Sequence, residues 1–464
     1  MGERRLVRLR FAPLSLLTVG AAAAMIFSIV TSGTTASLTS IAGLTDWPSS
    51  YVTGLSCQAA STCTVVGSDG ANADSGNFDS TEIGGRWGTQ NSILGQGGSA
   101  NLIGLACSRR GECVATDITG FYVEHDAHWS GDVATRFREF ANAPILLAGC
   151  SPRGICWVAN SDVEIGNSDA LSNAYAIGEF DGHLLSPHLL GPLRSPKAVV
   201  WNVIANGISC WSTTSCTFTG FVYEGFGAKE FLRRQFVQTE SNNRWASAQW
   251  IPQTPGADSD GLFELLPFEA PFACTGLGDC LLGGGVRLTR SERILSAVDE
   301  ETGGHWRSTL IGAEPKKGYS SQISQLACHG VSICVVSGGV DPQVVPNGTL
   351  FFRARVDGRW QSPLVMATGK SDSQFGSIAR GAVCPTTTTC YVVGAFTSTV
   401  GQPLGFVATW KRGRWSFQEL DFSPGAADTS FNAVACSRTQ CWVSGNTGPF
   451  GSTWSEAFVF PLRP

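Results

Sequence analysis

The sequence predicts an all-β protein, a β-propeller of eight four-stranded blades, with seven as the alternative count. Three observations carry this reading. Cysteines recur in local pairs at a near-constant period. Strand-like apolar runs flank each pair. A short turn built around Arg or His, usually ending in Trp, follows seven of the pairs.

The pairs are Cys57/Cys63, Cys107/Cys113, Cys150/Cys156, Cys210/Cys216, Cys274/Cys280, Cys328/Cys334, Cys384/Cys390 and Cys436/Cys441. They use all 16 cysteines. Seven are Cys-x5-Cys and the last is Cys-x4-Cys. Successive first cysteines are 50, 43, 60, 64, 54, 56 and 52 residues apart. A period of this length with strand content is that of propeller blades. Each pair sits at the mouth of an expected hairpin, where facing Cα atoms are roughly 4.5–5.5 Å apart and a disulfide can form. Zinc is the rival reading. It calls for closer cysteine spacing and a second pair or histidines nearby, and His125, His128, His183, His188, His305 and His329 do not repeat with the pairs. A disulfide framework also places the chain outside the reducing cytosol.

The unit around Cys328 shows the pattern most fully. Strand a is expected over 323–328, strand b over 334–338 and strand c over 349–356. Strand c, TLFFRARV, puts Leu350, Phe352, Ala354 and Val356 on one face and Phe351, Arg353 and Arg355 on the other, the two-residue period of a strand. Asp357-Gly358 makes a tight turn, and strand d starts at Trp360. The turn recurs as Gly85-Arg86-Trp87, Ala127-His128-Trp129, Gly182-His183-Leu184, Asn243-Arg244-Trp245, Gly304-His305-Trp306 and Gly413-Arg414-Trp415. A feature present in every full unit is a building rule, so these tryptophans are expected to pack between blades. The last unit ends after three strands. A ring needs a fourth, because an open edge invites aggregation, and the expected donor lies within 37–47.

Arg4, Arg5, Arg8 and Arg10 precede twenty uncharged residues, 11–30. Residues 1–36 therefore read as a signal peptide cleaved near Ala36 or as a retained membrane anchor. Both leave residues 37–464, the propeller domain, exported, with the membrane touched only through the N-terminal segment. A formal net charge of −5 and no basic run beyond the first ten residues give no basis for nucleic-acid binding.

These pairs and Trp turns, over about residues 50–460, resemble secreted bacterial cysteine-pair repeat proteins of propeller type. The resemblance implies an extracellular protein and no particular activity. Glycines such as Gly283-Gly284-Gly285 and Gly338-Gly339, followed by a downstream Trp, are loosely similar to kelch repeats, which lack the cysteine pair.

Connection lengths locate the expected binding face. Turns a–b and c–d share one end of the ring and are short. Connections b–c and d–a share the other end and vary, as in 68–77, 160–173, 186–203, 251–270 and 339–348. Insertions confined to one face mark a binding face. Candidate ligand-binding residues there are Asp162, Glu164, Asp169, Tyr223, Asp258 and Asp260. Asp69, Asp74 and Asp79 fall in a further Gly/Asn-rich loop, Glu264 and Glu269 share the loop of Asp258 and Asp260, and Trp201, Phe226, Arg287, Arg290 and Arg293 accompany Tyr223. Clustered carboxylates suit calcium, and no other cofactor is expected. No nucleophile, metalloprotease or phosphate-loop motif is present. The expected function is an extracellular, monomeric, non-catalytic scaffold that binds a glycan or a protein. The alternatives are a propeller-type glycoside hydrolase or polysaccharide lyase, and a structural envelope component.

Overall fold

Strand-forming residues around each cysteine pair do build hairpins, and the hairpins grow into blades. In the computed structural model, the described residues are 39–40, 50–58, 62–69, 76–88, 91–93, 102, 104–108, 111–117, 121–125, 128–130, 145–151, 154–160, 163–165, 172–180, 185–190, 199–212, 215–225, 231–241, 244–252, 271–288, 293–312, 321–340, 349–367, 377–398, 403–420, 428–448 and 455–462. Among them all regular structure is β. It forms eight antiparallel sheets of four or five strands. We number them blades 1 to 8 in the order of their cysteine pairs, with strands a to d running outward.

The ring closes on itself. Each innermost strand lies beside that of the next blade, and strand a of blade 8 (Asp428–Cys436) lies beside strand a of blade 1 (Ser50–Cys57). At this seam Val52 N donates to Asn446 Oδ1 at 2.9 Å, and Asn432 Nδ2 donates to the Val52 carbonyl at 2.8 Å. Ala457 N donates to Ser50 Oγ at 3.1 Å. The outer edge of blade 8 is Thr39–Ser40, which pairs with Glu456–Leu462 through Thr39↔Val459 and Ser40↔Phe458. Residues Thr35–Pro464 form one compact unit. The expected export segment, 1–36, lies outside the described residues. Among the described residues no helix is long and apolar enough to cross a membrane.

All eight cysteine pairs are disulfides, seven spanning six residues and the last spanning five. Each joins the two strands of its own inner hairpin, so the cross-links are local. In the loop-entropy account each contributes about 2–2.5 kcal/mol, because the closed loop is short. Cys63, Cys113, Cys156, Cys216 and Cys390 are wholly buried. Each is the second cysteine of its pair and belongs to strand b, which has strands a and c on either side and neighbouring blades over its faces. Cys156, for example, packs in one apolar cluster with Trp157, Cys216 and Phe218, and Cys390 packs with Val392, Phe406 and Trp410. These cysteines are core residues as well as staples, and they offer no surface to a ligand.

Strand a carries a recurring β-bulge. The register slips between Val52 and Gly54, Ala205 and Gly207, Ile323 and Gln325, Ala379 and Gly381, and Phe431 and Ala433. In each case the extra residue stands four before the first cysteine. A bulge bends its strand. Two residues before the extra residue, in blades 1, 6, 7 and 8, a strand a carbonyl presses on strand b, where only glycine fits. A Cβ at Gly67, Gly338, Gly394 or Gly445 would lie 1.9–2.2 Å from the carbonyl of Tyr51, Gln322, Ile378 or Ser430. Of the glycines that look kelch-like in sequence, Gly338 is such a partner.

Blade 6 shows why the strands read so clearly. Strands a, b and c run over Ser321–His329, Ile333–Val340 and Thr349–Val356. Strand d is Arg359–Trp360, resuming as Leu364–Ala367. Leu350, Phe352 and Ala354 pack toward blade 7 with Phe406 and Trp410. Phe351, on the opposite face, packs toward blade 5 with Leu281 and Val298. Strand c is thus apolar on both faces because both are covered by neighbouring blades. The turn tryptophans pack in these seams as expected. Trp415 of blade 7 lies 5.6 Å from Phe352 of blade 6, and Trp87 of blade 1 lies 5.4 Å from Trp442 of blade 8.

Candidate functional site

The two ends of the ring differ as the strand bounds require. At the disulfide end the connections are short. Strand c to strand d takes two residues in blade 1 (Ile83 to Arg86), blade 4 (Ser241 to Arg244) and blade 7 (Lys411 to Arg414). At the opposite end the chain leaves strand b of blade 6 at Val340 and returns at Thr349, and it leaves blade 4 at Trp250 and re-enters at Phe272.

Of the six candidate ligand-binding residues, two lie on described backbone, and both are strand residues. Glu164 belongs to Val163–Ile165, a strand inside the long connection of blade 3, and sits opposite Asn173. Tyr223 belongs to strand b of blade 4 and stands in one cross-strand row with Asn202 and Arg233. Asp162, Asp169, Asp258 and Asp260 lie outside the described residues. So do Asp74, Phe226, Glu264, Glu269 and Arg290. Asp69, Trp201, Arg287 and Arg293 are also placed on strands. The expected connection 186–203 is largely strand, since Leu185–Leu190 and Val199–Ser212 occupy most of it.

Blade 4 extends furthest toward this end. Its strand a begins at Val199, eleven residues before Cys210, whereas strand a of blade 6 begins at Ser321, seven before Cys328. Four extra residues carry the hairpin about 13 Å further at the usual strand rise. Arg234 holds its guanidinium 4.1 Å from the centre of the Trp250 ring on this blade, and Trp250 rests edge-on against Phe236. A cation over an indole face is a stable, planar arrangement.

Asp79 departs from expectation. The sequence places it in a solvated acidic loop, but it lies inside strand c of blade 1 (Asn77–Ile83) and is buried. The apolar partners of strand c explain this, since the strand starts at Asn77 and runs between two blades. Glu124 of blade 2 is also buried. Burial, and then the Asp79 charge, pushes its carboxyl up to about 7.

A row of acidic residues went unrecognised in the sequence. Glu82, Glu124 and Glu240 stand directly opposite the second cysteine of their hairpins, at Cys63, Cys113 and Cys216. On the other side they pair with the turn tryptophans Trp87, Trp129 and Trp245. Glu301 pairs with Trp306 in the same way. The signal was a Glu five residues before the turn Trp. Burial raises the Glu82 carboxyl, while hydrogen bonds from the Gly85 and Cys63 backbone lower it.

At the disulfide end, blades 5 and 6 enclose a cavity of about 280 Å³. The turn before Asp279 and strand c of blade 5 bring Asp279 and Glu301 to one wall. Strand c of blade 6 and its turn bring Arg355 and Asp357 to the other. Leu281 and Val331 supply apolar lining. Burial, and then Asp279, raises the Glu301 carboxyl. Arg355 Nε lies 3.2 Å from Glu300 Oε1, and the same oxygen accepts from Trp360 Nε1 at 2.6 Å. The ion pair lies outside hydrogen-bond alignment, since Arg355 Nε itself takes no hydrogen-bond partner. Among the described residues no group of three or more His, Cys, Asp or Glu side chains is arranged to hold a metal ion.

These features define a disulfide-stapled β-propeller. No protein-family model matches the sequence, and no curated protein matches it significantly. Several solved structures align with much of its length. The WD40 domain of SCAP from fission yeast aligns over 92% of this chain and 98% of its own, with a TM-score of 0.45 and 8% identity. A polysaccharide lyase of family PL25, an ulvan lyase, aligns over 81% and 96%, with a TM-score of 0.43 and 8% identity. YCF48 bound to a D1 peptide aligns over 93% and 96%, with a TM-score of 0.40 and 8% identity.

Proposed function

We propose that this protein is an exported, non-catalytic binding scaffold that recognises a glycan or a protein through the variable end of its ring. The observation that supports this reading is the asymmetry of the connections. Disulfides and short turns stiffen one end, while blades 1 to 6 send connections of differing length out of the other, past a blade 4 that extends beyond its neighbours. A rigid frame carrying loops of variable length lowers the ordering cost of recognition and leaves specificity to the loops. Eight disulfides suit an oxidising compartment, in keeping with the export segment read in residues 1–36.

The test is a glycan array and a panel of surface-protein extracts probed with the exported protein, in parallel with a polysaccharide hydrolysis and elimination screen. Binding without turnover is expected. Replacing residues 253–270 by a short Gly/Ser turn should abolish or re-direct it. Turnover that vanishes when Asp258, Asp260 or Glu164 is changed to its amide would instead establish a propeller hydrolase or lyase.

A further inference from the structure

The start of strand d carries a cation that packing does not use. In blades 1, 2, 4, 5, 6 and 7 it is Arg86, His128, Arg244, His305, Arg359 and Arg414. Each pairs with the last residue of strand c, from Ile83↔Arg86 in blade 1 to Lys411↔Arg414 in blade 7. The six therefore stand at one level of the ring. The tryptophan after each packs into a seam between blades. Successive strand residues point to opposite faces, and all six cations are exposed. Among the described residues none of the six side chains has an ion-pair or hydrogen-bond partner. Lys411, Arg412 and Arg438 are exposed at the same end. In the described turns there, Asp357 is the only exposed carboxylate, and Glu112 and Asp279 are half-buried. A chain of net charge −5 thus presents a basic end. Apolar side chains share it. Ile83, Leu277 and Val331 are 71%, 67% and 54% exposed, the most of the large apolar residues described, and all three lie at turns of the disulfide end.

The path of the chain points the same way. Strand c of blade 8 runs toward the disulfide end, where Leu462 faces Cys441. Thr39–Ser40 is antiparallel to it, so the chain preceding Thr39 joins the ring from the disulfide end. Only eight positions, 31–38, separate Thr39 from the uncharged stretch 11–30, and eight residues reach at most about 30 Å.

We propose that the disulfide end is a docking face for an anionic lipid bilayer, with the variable end turned away from it. Arginines near such a surface are drawn to acidic headgroups, about fivefold in affinity for each, and apolar tips enter the headgroup layer. A bilayer, unlike a single polymer strand, meets cations spaced around a whole ring at once. This face is separate from the variable end, so either reading can fail without the other.

Residues 35–464 are one compact unit that holds every described strand of the closed ring and all eight disulfides, and so fold without the segment before them. The test uses this unit, so that the stretch 11–30 contributes nothing. It is sedimented with vesicles of phosphatidylcholine alone or with about 30% phosphatidylglycerol, and with soluble polyphosphate as competitor. At low salt the anionic vesicles are expected to bind at least about a hundredfold more tightly, and salt should shrink the difference. The quadruple variant Arg86→Gln, Arg244→Gln, Arg359→Gln and Arg414→Gln should lose nearly all of this preference. Ile83→Ser combined with Val331→Ser should weaken binding severalfold. A urea midpoint matching the parent shows that each variant is folded. Equal binding to both vesicles, or a preference unchanged in the quadruple variant, would overturn the docking face. Polyphosphate that displaces the unit from the vesicles, while the Ile83 and Val331 changes leave vesicle binding unchanged, would assign the ring to a soluble anionic polymer instead.

Discussion

Replacing Asp299 by Asn should stabilise this protein, and the gain should depend on pH. Asp299 lies in strand c of blade 5, opposite Leu282 on one side and Ser308 on the other. It is 1% exposed. Ser308 Oγ donates to its Oδ1, while Oδ2 is buried without a partner. Burial drives the carboxyl up to about 7 from 3.8, and the Ser308 hydrogen bond offsets part of the rise. Because the folded pKa lies above the unfolded one, the folded chain keeps a proton that the unfolded chain has released between these values. Stability therefore falls as pH rises from about 4 to about 7 and is flat above. At about 1.4 kcal/mol per pH unit the total is about 4 kcal/mol. Asn has the shape of the neutral acid and accepts the same hydrogen bond. Asp299→Asn should match the parent near pH 4 and exceed it by up to about 4 kcal/mol at pH 8. Urea unfolding with disulfides intact, at several pH values, reads this difference from the midpoints. An Asn variant less stable than the parent by the same margin at pH 5 and pH 8 would refute the reasoning. That result would mean the carboxylate is ionised and paired.

Two further substitutions probe the packing. Phe352→Ala empties a fully buried position between the Phe406, Trp415 and Phe417 rings, and should cost about 3–5 kcal/mol in urea unfolding. Gly338→Ala places a methyl 1.9 Å from the Gln322 carbonyl and 2.8 Å from the Phe351 ring. It should cost about 1–3 kcal/mol or more. By contrast Gly84→Ala meets nothing within 4 Å and carries only the strain of a φ of +63°, about 1–2 kcal/mol.

The propeller was legible because its signals repeat. Cysteine spacing marks every inner hairpin, and strand c of blade 6 runs over 349–356 in sequence and structure alike. The depth of the sulfurs was not legible, because spacing shows which cysteines face each other and not what covers them; Cys156 and Cys390 are buried by neighbouring blades. The bulge was not legible either, because Thr53, Asn206, Ser324, Arg380 and Asn432 share a position and a polar side chain but no residue type, and a polar residue is ordinary in an alternating strand. Only the glycine opposite each bulge leaves a trace in composition. Asp79 misled for a related reason. It stands beside a run of Gly, Asn and Asp that reads as loop, yet strand c already begins at Asn77 and burial follows from its blade neighbours. The cavity of blades 5 and 6 was illegible because its residues come from two repeats. Asp279 and Glu301 are 22 positions apart, and Arg355 and Asp357 arrive from the next unit. Spacing within one repeat cannot reveal a cavity made between two.

The account rests on cross-links confined to single hairpins of a closed ring. Mass mapping of a non-reduced digest of the exported protein, alkylated before unfolding, tests this most directly. The account predicts no alkylated cysteine and eight linked peptides, each joining the two members of one pair from Cys57–Cys63 to Cys436–Cys441. Any free thiol, or a link between cysteines of different blades, would contradict it.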